Sequence, residues 1–380
     1  MPAWTRACLA LFAVGWGANQ FAALLPVYRV TDGASAEQVT LLFGAYAAGL
    51  IPTLLVVAPI SDRLGRRRVM LPVLVVSFIA TLVLIAGTQS LWVLLVGRLL
   101  AGVASGAAFA PGTAWVKELT TGPTGTGARR AAIALSAGFG TGPLVTGLMA
   151  QWLPAPTVLP YLPHLVLTVV VTLLVLRAPE VARPRDDTGL DEPDRVRRAL
   201  LSPVFVRRVL LTAPWVFGCA CLAFATVPEV APVPGPRVAV GGALVALTLW
   251  TGVAVQPLGR RLDPTSTVLL GSAAGVAGFL VAALASMTGW SALTVVSVIG
   301  LGAAYGWILV GGLATVEQVA DPRDLATVNA VFYSLTYVGF AAPYLGTVLL
   351  GSVAATPAML LLAGLLVATV PLTVASRRGA

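Results

Sequence analysis

Twelve apolar runs, centred near residues 15, 48, 78, 103, 141, 168, 218, 248, 276, 302, 338 and 364, account for most of this 380-residue chain. A helix needs roughly 20 apolar residues to cross the hydrocarbon of a bilayer, so each run is long enough to span. The runs are continuous and lack the alternation of a transmembrane barrel, and in lipid a helix satisfies all its backbone hydrogen bonds within itself. A sequence that is 58% hydrophobic and 10% charged, with a mean hydropathy of +0.91, could not bury its apolar surface in one water-facing domain. The expected fold class is an all-α polytopic membrane protein with twelve transmembrane helices.

The net charge of +9 could suggest a nucleic-acid partner, but its distribution argues against one. With the N-terminus in the cytoplasm and twelve spans, every one of the 24 basic residues falls on the inner side except Arg29, Arg98 and Arg237. That bias sets topology and brings basic groups to anionic lipid, leaving both termini inside. The run after Arg6 is too long for a removable signal peptide and reads as a retained first helix. Cys8, Cys219 and Cys221 lie in spans, odd in number, and read as small core residues.

The longest polar segment, Ala178 to Arg208, is rich in Arg, Asp and Pro and separates six spans from six. It divides the chain into a bundle over 1–178, a linker over 179–208 read as a solvated tether, and a second bundle over 209–380. The halves echo each other. Pro26 closes the first span and Pro228 the seventh; Gly65-Arg66-Arg67 returns as Gly259-Arg260-Arg261. Glu118 ends span four and Glu317 span ten, while Gly138-Phe139 with Pro143 returns as Gly339-Phe340 with Pro343.

Between spans two and three stands a charged knot, Ala58-Pro59-Ile60-Ser61-Asp62-Arg63-Leu64-Gly65-Arg66-Arg67-Arg68. It resembles the loop signature of the major facilitator superfamily, Gly-x-x-x-Asp-Arg-x-Gly-Arg-Arg, with Ala58 in place of the first glycine. The resemblance implies two six-helix repeats moving by alternating access. It also implies a latch between the halves, carried by Asp62, Arg63, Gly65 and Arg66. Gln256 stands at the matching place in the second copy, so such a latch is asymmetric.

Arg98 is an intramembrane charge, which is expensive and normally faces a cavity or a partner. Gly102 and Gly106 follow it at i+4 and i+8, on one helix face. Arg-x-x-x-Gly here resembles the family's fourth-helix motif, whose arginine is linked to proton transfer. In span five, Gly138, Gly142, Pro143 and Gly147 resemble the pattern Gly-x-x-x-Gly-Pro-x-x-x-Gly of the antiporter branches. The glycines permit close packing and the proline bends the helix. The chain is most like the twelve-helix drug:H+ antiporters, which implies proton-coupled export of drug-like or lipophilic metabolites. Import of a small nutrient by a symporter or facilitator is the alternative.

No acid is placed convincingly at mid-membrane, and Asn19-Gln20 stands where many proton-coupled relatives carry an aspartate. Glu37, Glu229 and His164, all expected near the outer face, remain as proton-carrier candidates, with His164 read first as an interfacial hydrogen-bonder. By resemblance the substrate pocket lies where spans 1, 4, 7 and 10 meet, offering Trp16, Asn19, Gln20, Trp215, Phe217 and Tyr305. Aromatic walls with few fixed charges suit lipophilic or amphipathic molecules. One histidine and scattered acids do not make an enzyme's site, and no phosphate-binding Gly-x-x-x-x-Gly-Lys-Ser/Thr loop occurs. A monomer without cofactor or metal is expected, with a small molecule, protons and the bilayer as partners and no nucleic acid. The arginine-rich composition points to a bacterial inner membrane.

Overall fold

A computed structural model describes residues 1–31, 33–121, 126–180, 193–321 and 325–375, with the side chains of residues 58, 59, 62, 193, 194, 326 and 371–375 left aside. Among these residues all regular structure is helical. The helices are α1 (Ala3–Thr31), α2 (Ala36–Leu64), α3 (Arg66–Ala86), α4 (Leu91–Leu119), α5 (Thr126–Trp152) and α6 (Leu159–Leu176). They continue with α7 (Pro203–Val230), α8 (Arg237–Gly259), α9 (Pro264–Thr288), α10 (Ser291–Val319), α11 (Thr327–Ser352) and α12 (Ala355–Ala375). Eleven are long and apolar enough to cross a membrane, and the apolar stretch of α12, Ala355–Val370, is shorter.

The side-chain pattern is that of a lipid-facing bundle. In α6 the exposed positions are Leu162, Val166, Val169, Val170, Leu173 and Leu176, while His164 and Thr168 are buried. Polar groups turn inward because hydrocarbon offers them no hydrogen bond. Local chemistry marks the helix starts. Ser35 and Gln38 form a reciprocal capping box at α2, and Asp263 accepts from the Ser266 N–H at α9.

Pro26 bends its helix instead of ending it, whereas Pro228 stands in the last turn of α7, which ends at Val230. The chain tightens to a 3-10 turn over Gln20–Leu24 and then resumes as helix over Leu25–Thr31. In α7 the helix over Ala213–Ala225 breaks at Thr226 and continues through Val227–Val230. A proline lacks an N–H, so its helix loses one bond and kinks without having to stop.

The chain groups into two compact units: Met1–Arg185 with Pro236–Ala246, and Asp186–Gly235 with Leu247–Ala380. Each unit repeats the same close helix crossings. In the first, a Cβ on Gly102 or Gly106 would run into the carbonyl oxygen of Tyr46 or Leu50, so α4 lies directly on α2. In the second, Gly302 and Gly306 meet the carbonyls of Thr248 and Gly252 in the same way, placing α10 on α8. Likewise Gly138 meets the Phe12 carbonyl on α1, and Gly339 meets the Pro214 carbonyl on α7. Small residues let backbones approach where lipid gives no hydrophobic drive for association.

The linker is not solvated along its whole length, as the polar composition suggests. At its start Arg67 donates to the Ala178 carbonyl at 3.0 Å, Trp115 Nε1 to the Pro179 carbonyl at 3.3 Å, and Arg6 to the Arg177 carbonyl. At its end Ala199 joins a buried cluster with Phe205, Val209, Val316, Val328 and Phe332. Asp186-Asp187 and Asp191-Glu192, its acidic centre, lie outside the described residues.

Candidate functional site

The α2–α3 turn is built around Gly65, whose φ of 96° and ψ of 152° suit only a residue without Cβ. The turn leaves the first N–H groups of α3 free, and the Glu180 carboxylate accepts from those of Arg67 and Arg68 at 3.0 and 3.1 Å. An anion at a helix N-terminus meets both the unsatisfied N–H groups and the helix dipole. Arg66 is buried. It donates to Ser61 Oγ at 3.1 Å and pairs with Glu118 Oε1 on α4 at 3.2 Å. Arg63 is exposed, and the side chain of Asp62 lies outside the described residues. Glu118 and Glu180 are thus the partners that sequence reasoning missed. Glu118 was visible only as an echo of Glu317, and Glu180 sits more than a hundred positions from the helix it caps.

Arg98 is fully buried and holds three helices together. Its guanidinium donates to the carbonyls of Ala18 on α1 (3.1 Å) and of Leu42 and Phe43 on α2 (3.2 and 3.0 Å). The Ala18 carbonyl immediately precedes the 3-10 turn of α1, where bonding tightens from i→i+4 to i→i+3. The rings of Phe21, Tyr46 and Phe43 lie 4.7, 4.9 and 5.5 Å from the guanidinium carbon. A planar, always-charged group with five donors suits this mixture of carbonyl and π contacts.

The span-five motif packs on two partners. Gly138 and Gly142 face the Phe12 and Trp16 carbonyls of α1, and Gly147 touches the backbone of Val238 and Gly242. Pro143 has no N–H to give the Phe139 carbonyl four residues earlier. Asn19 supplies the missing donor, its Nδ2 bonding Phe139 O at 3.2 Å. The kink in α5 and the polar residue in α1 are therefore one arrangement.

At the next residue, Gln20 Nε2 donates to Thr81 Oγ1 at 3.0 Å, and Thr81 Oγ1 lies 2.8 Å from His164 Nδ1. His164 is not near the bundle's edge, where its place early in α6 suggested it would be. It is fully buried against Ala13 and Gly17 of α1 and Ser77 of α3, half-way along both helices. The reason is geometric: His164 and Thr168, one turn apart, lie on the face of α6 that packs on α1 and α3, whereas Leu162 and Val166 face outward. Trp16 is buried beside this network. Its Nε1 and the Gln20 Oε1 have no hydrogen-bond partner among the described residues.

In the second unit, Phe217 centres an aromatic cluster. Its ring stacks on Tyr337 at 4.6 Å, with Phe340 at 5.2 Å and Tyr305 at 5.5 Å. Tyr305 in turn lies over Gly252, where a Cβ would collide with its ring. Trp215 is half-buried and meets Phe279 edge-on. Tyr337 and Phe340 are additions to the expected set, hidden in sequence because aromatics are scattered through every span. Glu118 has a buried carboxylate oxygen beside Arg66, whereas Glu37 and Glu229, the acidic proton-carrier candidates, are exposed.

The family model described as Major Facilitator Superfamily matches residues 7–343. The chain belongs to the major facilitator superfamily. It is a multi-pass membrane transporter, not an enzyme. Two solved structures share the fold. A point mutant of nucleoside transporter NupG matches with a TM-score of 0.76 at 13% identity, covering 98% of this chain and 99% of that one. A second crystal structure of nucleoside transporter NupG gives a TM-score of 0.73 at 15% identity, with 99% of each chain covered. No curated protein sequence matches this facilitator.

Proposed function

We propose that this facilitator is a secondary active transporter that moves a small, uncharged or lipophilic molecule by alternating access, coupled to protons and directed outward. The observation that carries the substrate class is the aromatic cluster around Phe217, with Tyr337, Phe340 and Tyr305 at 4.6, 5.2 and 5.5 Å. A charged substrate needs a countercharge in a dry site, whereas an aromatic wall rewards a flat, apolar one. Trp16, Asn19 and Gln20 in the first half, and Trp215, Phe217 and Tyr305 in the second, are the substrate candidates. The outward direction rests on the resemblance of Gly138, Gly142, Pro143 and Gly147 to the antiporter pattern.

In this reading the chain divides into six-helix halves over 1–178 and 209–380, joined by the linker over 179–208, with both termini in the cytoplasm of a bacterial cell. Asp62, Arg63, Gly65 and Arg66 hold the inner side closed when the protein faces outward, and the monomer is the working unit. A second reading is movement of a nucleoside, supported by the fold shared with nucleoside transporter NupG. A nucleoside has a flat base for the aromatics and hydroxyls for Gln20 Oε1 and Asn19.

The test uses purified protein in liposomes with an imposed pH gradient and a pH-sensitive dye inside. Ethidium, a panel of lipophilic antibiotics, sugars, amino acids and uridine are added in turn. Protons moving against a drug-like compound support the first reading. Uridine flux with none from the drugs supports the second, and flux without proton movement refutes coupling.

A further inference from the structure

We propose that His164 is the proton-binding site of this transporter, wired to α1 through Thr81 and Gln20. The proposal rests on the proton-coupled reading above and names the group that carries the proton.

Proton coupling needs a buried group that gains and loses a proton near neutral pH. Among the described residues the buried cations Arg66, Arg98 and Arg208 keep their charge under all such conditions, and the carboxylate of Glu118, which has a buried oxygen, is held in an ion pair by Arg66 at 3.2 Å. His164 is the chain's one histidine, and an imidazole ring can bind and release a proton at a ring nitrogen.

The surroundings of the ring are built for it. Gly17 leaves the space it fills, since a Cβ there would lie 2.5 Å from Nε2 and 2.8 Å from Cε1. The hydrogen-bond partners settle its tautomer. The Ala13 carbonyl, 3.1 Å from Nε2, can only accept, so Nε2 carries a hydrogen. Thr168 donates its own hydroxyl to the His164 carbonyl at 2.7 Å, leaving its oxygen to share the Nε2 hydrogen at 3.2 Å. In the neutral ring Nδ1 is therefore the acceptor, and the Thr81 hydroxyl donates to it across 2.8 Å. The Thr81 oxygen accepts from Gln20 Nε2.

A second proton can be added without moving a heavy atom. It goes onto Nδ1 from hydronium, which leaves as water, and the ring becomes a donor at both nitrogens. The Thr81 hydroxyl then turns from Nδ1 to the Ser77 carbonyl, which already lies 3.3 Å away. Its oxygen now accepts from both His164 and Gln20. A rotating hydroxyl between two acceptors makes the site bistable, with either state fully bonded.

The groups facing the ring do not titrate: Ala13 and Gly17 from α1, Ser77 and Thr81 from α3, and Thr168 from α6. The next titratable groups are Tyr161, three residues before His164, with its bonded partner Tyr28 at 2.8 Å, and the nearby fixed charge is Arg98 at the Ala18 carbonyl. The readout runs through Gln20. Its Nε2 is tied to Thr81 while its Oε1 has no partner among the described residues, beside the 3-10 turn that breaks α1. A substrate N–H or O–H donating to Oε1 would hold the amide that steadies Thr81, so substrate and proton would bear on one short chain.

Because the chain holds one histidine, histidine-selective 15N labelling of protein carrying a histidine-free tag gives two ring-nitrogen signals from one site. In nanodiscs at alkaline pH we expect hydrogen on Nε2 alone. On acidification both nitrogens should become protonated while tryptophan fluorescence still reports the folded protein, and Thr81→Val should move the midpoint by about one pH unit. A ring that stays neutral until the protein unfolds overturns the proposal. In liposomes, with ethidium and uridine as probes, His164→Asn should lose probe-driven proton movement yet keep probe exchange at equal concentrations. If the wild type moves a probe without protons, the proton-coupled reading itself fails. If wild type and His164→Asn move protons equally, that reading stands and His164 is not the site.

Discussion

Replacing Gly65 by alanine strikes the α2–α3 turn at its tightest point. A residue with a Cβ at this φ and ψ costs about 1–3 kcal/mol in backbone strain. The new methyl would also sit 2.7 Å from the Glu180 carboxyl carbon and Oε1, so the carboxylate must leave the α3 N-terminus. Losing a side-chain cap costs about 0.5–2 kcal/mol, and losing the charge at the dipole about 0.3–1 kcal/mol. Glu180 is only half-buried, so about 1–2 kcal/mol is the reasonable share for its departure. Gly65→Ala should therefore cost about 2–5 kcal/mol, and Glu180→Ala about 1–2 kcal/mol. Both remove the same contact, so the double variant should cost no more than Gly65→Ala alone. Cys8 and Cys219 are buried thiols outside any disulfide, which lets a thiol-reactive dye follow unfolding in mixed detergent micelles. Costs that add to within about 0.5 kcal/mol would show that Glu180 and Gly65 act independently, and the capping account would be wrong.

Arg98→Met should destabilise the first unit by about 2–4 kcal/mol, because three charged-donor hydrogen bonds of about 1.5–3 kcal/mol each are lost while the desolvation cost of the buried charge disappears with them; intact stability with lost transport would mean Arg98 is catalytic to the cycle and not a staple. Asn19→Leu should cost about 1–3 kcal/mol in the native chain, by leaving the Phe139 carbonyl unpaired, and almost nothing alongside Pro143→Ala, which restores the backbone donor; equal costs in both backgrounds would break the link between kink and asparagine. Gly102→Ala and Gly302→Ala should each cost about 1–3 kcal/mol, since the added carbon overlaps a facing carbonyl oxygen in both units; a neutral effect at either site would argue that the helices there can part freely.

Much of the fold was legible because a bilayer leaves so few choices. Each of the twelve apolar runs became a helix, since nothing else satisfies a backbone in hydrocarbon. The echoes between halves were also legible, and the glycine pairs on α4 and α10 show what they encode. One proline misled: Pro26 read as an end, but a helix sheltered by its neighbours can bend and resume, while Pro228 does stand in the last turn of its span. His164 misled for another reason. Position along a chain does not tell which face of a helix a residue takes, and His164 takes the face of α6 that packs on α1 and α3.

The sequence by itself determined the solvent this chain lives in, the number and order of its helices, and the superfamily it belongs to. These follow from composition and period, which act locally and add along the chain. Only the tertiary structure decided what the polar residues do. It put Glu180 on the α3 N-terminus, Glu118 on Arg66, Asn19 on the carbonyl that Pro143 leaves bare, and Gln20 and Thr81 on His164. A buried polar group must be satisfied by whichever helix lies beside it, and adjacency in a packed bundle is not written in sequence spacing.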